Sequence, residues 1–169
     1  ISFASTINGN AAGRDLTLNA GNGALTLGGA VGGTLALGTL SLAAGGGINL
    51  GGNVTTSSTQ TYSSAVVLTG NVALDSTNGA GTDGNINFSG TVNGNAAGRD
   101  LTLNAGTGTV TFSGNVGGTQ AIGALTTTAS LTALRANQIS TSGSQTYNGD
   151  FQYFSINNTS LNYTGSSAT

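Results

Sequence analysis

Few side chains in this protein can hold a proton, a metal or a reactive lone pair. The charged groups are Arg14, Arg99 and Arg135 against Asp15, Asp75, Asp83, Asp100 and Asp150, a formal net charge of −2. Lys, Glu, His and Cys are absent. Zinc, haem and iron–sulfur sites each need a ligand that is missing, and a Ser-His-Asp triad lacks its base. Three guanidinium groups cannot neutralise a run of phosphates, so no nucleic-acid partner is expected. Without Cys there is neither a disulfide framework nor a thiol redox site.

The groups that remain define a short set of candidate contacts. Arg14–Asp15 and Arg99–Asp100 are the one charged pair that recurs in place. Adjacent strand residues point to opposite faces, so each pair is expected to reach outward, to a neighbouring repeat or a neighbouring fibre, or to sit in a solvated turn. The segment Asp75 to Asp83, DSTNGAGTD, has the oxygen donors and glycines of a calcium loop. It occurs once and has no carboxylate counterpart in NYTGSSAT near the C-terminus, so a plain turn is expected and no metal site. Paired catalytic carboxylates would require two Asp brought together from isolated turns. The expectation is therefore no catalytic residues, no cofactor and no enzyme activity. Phe151, Tyr153, Phe154 and Tyr163 gather near the C-terminus with Tyr147. Exposed, they would stack on sugar rings or pack on another subunit; buried, they would fill a wider coil. The Thr-rich stretches TVTFS and LTTTAS are too irregular in spacing for an ice-binding array.

The elements that must position these residues follow from composition and repetition. The chain has 169 residues, 30 of them Gly and none Pro, with 37% hydrophobic residues. Disordered chains combine high charge with few β-branched residues, and this one does not. The sequence repeats itself at an offset of 85: ISFASTINGNAAGRDLTLNAGNG from Ile1 is answered by INFSGTVNGNAAGRDLTLNAGTG from Ile86. The match runs without a gap to TSSTQTY, ending at Tyr62, and TSGSQTY, ending at Tyr147. Two copies are expected, residues 1–85 and 86–169, joined as one continuous unit and excerpted from a longer array.

Inside each copy, apolar residues alternate with Thr, Ser, Asn or Gly in LTL, ALTL, LALGTLSL, INL, AVVL and VAL. Asn–Gly and Gly–Asn pairs punctuate these runs as turns. No stretch carries a convincing helical period; the best, SLTALRANQ from Ser130, is short. The spacing of roughly 20 residues predicts an all-β fold, a parallel β-helix (β-solenoid) of about eight coils. Small aliphatic side chains would point inward, with Gly and Asn at the corners and Thr, Ser and Asn outside. An array of immunoglobulin-like sandwiches would fit the period, but such domains normally bury a large aromatic and the first copy offers only Phe3 and Tyr62. An outer-membrane barrel would need aromatic girdles. The uncharged stretch from Gly28 to Leu50 imitates a membrane span, but its counterpart in the second copy is too polar, so no span is expected.

The string LTLNAG-x-G, V-x-F-x-G-x-V-G-G and QTY, matched over Ile1–Tyr62 and Ile86–Tyr147, resembles the repeats of large bacterial surface exoproteins, similar to filamentous haemagglutinin and autotransporter-type adhesins. The resemblance implies a right-handed parallel β-helix, an extracellular or cell-surface location, and a role as a rigid shaft in attachment or biofilm matrix. A self-assembling extracellular fibre and a glycan-binding module built on the C-terminal aromatics are the alternatives. Expected partners are neighbouring repeats or copies, end to end or laterally, and cell-surface glycans.

Overall fold

Short alternating runs can bury one face only by finding another sheet, and a chain with glycine-rich corners does so by coiling on itself. The computed structural model describes residues 1–78, 83–154 and 162–164, the last three by their backbone. Among these there is no helix, and every strand pairing is parallel. The chain winds as a three-faced β-solenoid. The first face stacks Ser2–Phe3, Leu25–Leu27, Ile48–Leu50, Val66–Leu68 and Val92–Gly94, then passes through Val116 to Gln138–Ser140 and Asn162–Thr164. The second stacks Ile7, Val31, Val54–Thr55, Val72–Asp75 and Leu101–Asn104. The third stacks Leu16–Asn19, Leu40–Ala43, Gln60–Tyr62, Ile86–Phe88 and Thr109–Phe112. Two longer strands, Leu125–Leu134 and Gln145–Tyr153, cross the corner between the second and third faces. A register shift between Thr128 and Leu131 gives the bend.

The first face carries eight rungs and the third seven, so the chain makes about seven turns, and at a strand spacing of about 4.8 Å the rungs span about 34 Å. The sequence spacing predicts eight coils. The difference lies in the corners: one turn takes the chain from Ile48 to Val66, another from Val72 to Leu101. Turn length is set by what each corner must accommodate, so a uniform coil of twenty residues overcounts.

Inward positions hold the core. Leu25, Leu27, Val31, Leu40, Leu42, Ile48, Leu50, Val54, Leu68 and Leu74 are buried in the first copy, and Ile86, Val92, Leu101, Leu103, Val110, Val116 and Leu125 in the second. On the third face Tyr62, Phe88 and Phe112 form an aromatic column, ring centroids 4.9 and 5.2 Å apart and nearly parallel. The best helical candidate, from Ser130, is strand as far as Leu134. Its Thr132 points inward, where its hydroxyl lies 2.9 Å from that of Thr127. Each hydroxyl thereby satisfies the other inside the core.

The two sequence copies do not occupy equivalent faces. Ser2 lies on the first face, but its counterpart Asn87 lies on the third. Leu16–Asn19 on the third face is answered by Leu101–Asn104 on the second. Val31 on the second is answered by Val116 on the first. One copy therefore advances three and two-thirds turns, and the second copy is rotated by one face relative to the first. Identical sequences build identical local structure at different corners. Gly32 and Gly117 both take positive φ (71° and 67°). A Cβ at either would collide with a carbonyl of the next coil, that of Thr55 or of Ser140.

This local equivalence is testable by denaturant unfolding. Gly32→Ala and Gly117→Ala are each expected to cost about 2–4 kcal/mol, because left-handed strain and a backbone collision combine. Gly13→Ala, with φ of 69° but open space around its Cβ, is expected to cost about 1 kcal/mol. A Gly117 variant as mild as the Gly13 variant would show that the corner does not travel with the repeat.

Candidate functional site

The side chains with chemistry to offer sit at the corners, and their geometry follows from what a corner lacks. Where the chain leaves one face for the next, backbone N–H groups of the following coil lose their ladder partner. Asn and Asp supply it. The Thr34 amide donates to Asn8 Oδ1 (3.0 Å) and the Thr119 amide to Asn93 Oδ1 (2.9 Å). The Thr39 amide donates to Asp15 Oδ1 and the Ala124 amide to Asp100 Oδ1, both at 2.7 Å. Ala73, Thr107 and Thr109 donate in the same way to Asn53, Asp83 and Asn85 at 2.8–2.9 Å. In every case an earlier coil's side chain accepts from the coil that follows.

Asp15 and Asp100 are therefore clamps within their own chain. Each commits its Oδ1 to the following coil, at a turn, which is one of the two readings of these residues from the sequence. Their receiving residues are preceded by glycines for a steric reason: a Cβ at Gly38 would collide with Asp15 Oδ1, and one at Gly123 with Asp100 Oδ1. The Thr39 amide, and then the Thr39 side chain, hold the Asp15 carboxyl below the ordinary carboxylate range, against an opposing push from desolvation. Arg14 is exposed, and the Arg99 Nε donates to Asn95 Oδ1 at 2.8 Å. The two Arg–Asp pairs are not brought together. One lies at the corner between the second and third faces, the other between the first and second.

The two ends of the calcium-loop candidate differ: Asp75 closes a local turn two residues long, and Asp83 is a clamp on the following coil. Asp75 Oδ1 accepts from the Thr77 amide and hydroxyl, and Asp83 Oδ2 from the amide and hydroxyl of Thr107. Residues 79–82, between them, lie outside the described residues. A shallow depression of about 320 Å³ on the second face is lined by Asn53, Asn71, Val72, Ala73, Asp100 and Thr102. The Asn53, Asn71 and Asp100 oxygens at its rim accept from backbone amides of Ala73, Asp100 and Ala124.

The C-terminal aromatics divide. Phe151 and Tyr153 align in register with inward Thr132 and Leu134; Tyr153 is half-buried against the core and Phe151 remains 37% exposed. Phe151 packs against Tyr147 with ring centroids 4.6 Å apart, and the Tyr153 hydroxyl donates to Asn137 Oδ1 at 3.4 Å. Phe154 lies on the outer surface, with the Arg135 guanidinium 4.5 Å from its ring centroid. Tyr163 pairs with Ile139 through its backbone; its side chain lies outside the described residues.

Sequence reasoning missed one constellation. The motif TSSTQTY places Thr56, Gln60 and Tyr62 inside the solenoid. Gln60 Nε2 donates to Thr56 Oγ1 (3.1 Å) and to the Asp75 carbonyl (2.8 Å), and the Tyr62 hydroxyl donates to Gln60 Oε1 (2.8 Å). Burial pushes the Tyr62 phenol far above its ordinary pKa, keeping it a neutral donor. TSGSQTY repeats the device one face round: Gln145 Nε2 to Thr141 Oγ1 at 3.1 Å and Tyr147 to Gln145 Oε1 at 2.7 Å. The signal was the spacing itself. In a strand, two residues apart means one face, so an inward Tyr carries its Gln inward with it.

No helix of the described residues is long and apolar enough to cross a membrane. No protein family, curated protein or solved structure matches this chain.

The Asp15 clamp makes stability depend on pH with a definite sign. The folded-state pKa lies below the unfolded one, so the charged clamp contributes fully above the unfolded carboxylate value of about 4. That contribution fades as pH falls through the folded value. Asp15→Asn keeps the acceptor oxygen and removes the charge. Parent and variant are expected to differ in Tm at pH 7 and to converge below about pH 4; a gap that stays constant across that range refutes the charged clamp. Gln60→Leu strands the Tyr62 hydroxyl in the core and removes the donor to Thr56, whose own hydroxyl still donates to the Ser58 carbonyl; it is expected to cost about 2–4 kcal/mol in urea unfolding.

Proposed function

We propose that this protein is a structural segment of an extracellular adhesin or filament, a rigid β-solenoid shaft that holds an attachment or matrix function away from the cell. The observation that supports the reading is mechanical. Successive coils are joined by parallel ladders on all three faces and by Asn and Asp clamps at the corners between them. To pull the ends apart, a coil must be peeled from its neighbour, breaking several hydrogen bonds together. The surface suits exposure outside a cell: no Lys and three Arg leave few sites for trypsin-like proteases. Asp15, Asp75, Asp83 and Asp100 each place a carboxylate oxygen on a backbone amide, which suits a structural role.

Single-molecule pulling through the two termini tests this reading. A shaft yields in successive steps, each releasing one coil of about 20 residues, or about 70 Å of extended chain. Asp15→Ala with Asp100→Ala is expected to lower the force of the steps at those two corners. Smooth extension at low force, without steps, would be incompatible with a load-bearing role.

A further inference from the structure

The first coil carries the side chains of an interior coil but is covered on one side only. Ile1 and Phe3 are 51% and 36% exposed, and Ile7, Leu16 and Leu18 are half-buried. Their counterparts 85 residues on, Ile86, Phe88, Val92, Leu101 and Leu103, are at most 1% exposed. What seals those counterparts is on view. Ile86 and Phe88 lie in register on Gln60 and Tyr62, Val92 on Val66, and Leu101 and Leu103 on Val72 and Leu74. The Tyr62 ring stacks on Phe88 at 4.9 Å.

We infer that the N-terminal end of the solenoid is a docking face for a further copy of this protein's own repeat, which meets it through the coil equivalent to residues 60–75. This deepens the shaft reading and rests on it for the idea of repeated copies. The junction between the two copies present is the template, so the register is fixed: Ile1 on the incoming Gln60, Phe3 on Tyr62, Ile7 on Val66, Leu16 on Val72 and Leu18 on Leu74. Continuity with that existing interface identifies the occupant. A generic apolar partner would cover Ile1 and Phe3 but would not supply three parallel strands in the right order, or a phenol over the Phe3 ring.

The rotation adds a second consequence. The Arg14–Asp15 corner lies between the second and third faces, and Arg99–Asp100 between the first and second. A preceding copy, turned by one more face, places its own Arg–Asp corner between the third and first. Three consecutive copies therefore present this corner at all three edges of the rod, at axial steps of about 18 Å.

Engineered cysteines test the junction without background, because the chain has none. A second copy of residues 1–85 is placed ahead of Ile1 of the full chain. Thr61→Cys in the added copy is paired with Ser2→Cys. In the same protein, Thr61→Cys with Asn87→Cys, residues paired in register in the existing structure, is the positive control; each pair is made separately. The parallel ladder brings the two Cα atoms within disulfide range. The expected result is closure of the new pair under mild oxidation to the same extent as the control. Amide exchange at Leu16–Asn19 should also slow to the level of Leu101–Asn104. Closure of the control alone overturns the inference, as does unchanged exchange at Leu16–Asn19. Residue-2 cysteines that join two full-length chains without the added copy would also overturn it, by showing that the end meets the same end of a second molecule and not the coil equivalent to residues 60–75. The shaft reading stands or falls separately on the pulling experiment.

Discussion

Everything in this molecule follows from stacking one coil directly on the next. A parallel ladder fixes the coils about 4.8 Å apart, and at that distance a backbone cannot turn a corner without leaving amides unpaired and bringing carbonyls close. Two remedies recur. Asn and Asp side chains accept from the amides that lose their partners, and glycines stand where a Cβ would collide with the neighbouring coil. The composition is thus a consequence of geometry. Asn and Gly are abundant because corners are abundant, and Pro is absent because interior strands need every donor.

The same constraint explains where charge is tolerated. Like charges stacked at one coil spacing repel, and residues 16 to 74 carry none. The exceptions are informative. Asp15, Asp83 and Asp100 each place a carboxylate oxygen on a backbone amide of the following coil. A charged acceptor strengthens such a bond over a neutral one. The negative charge is spent on holding the coil, and a residue that looked like a candidate for chemistry becomes part of the architecture.

Much of the fold was legible in the sequence, and the parts that were not share a cause. Alternation in LTL, INL and VAL gave strands, the Asn–Gly pairs gave corners, and the missing 3.6 period excluded helix even at SLTALRANQ. These are local signals. The number of turns was not local: it depends on how many residues each corner consumes, as Ile48 to Val66 and Val72 to Leu101 show. The inward Gln60 and Thr132 ran against the expectation that polar residues face out. Each is tolerated because a partner two to five residues away satisfies it, Tyr62 and Thr127 respectively. The clamps were invisible for a further reason: Asp15 finds Thr39 only after the chain has gone once round.

The rotation between copies shows why a sequence period and a structural period need not agree. A repeat is copied as a length of chain, here 85 residues, whereas a turn is closed by geometry. Nothing forces the first to be a whole multiple of the second. What the fold requires is only that each segment meet a suitable segment below it, and three similar faces make that possible at any one-third turn. Phe88 meets Tyr62, and Leu103 meets Leu74, although neither pair is aligned by the repeat. A solenoid whose faces are interchangeable can therefore lengthen by duplication without regard to phase. Each duplicated corner then points in a new direction, so a feature encoded once per copy is distributed around the rod.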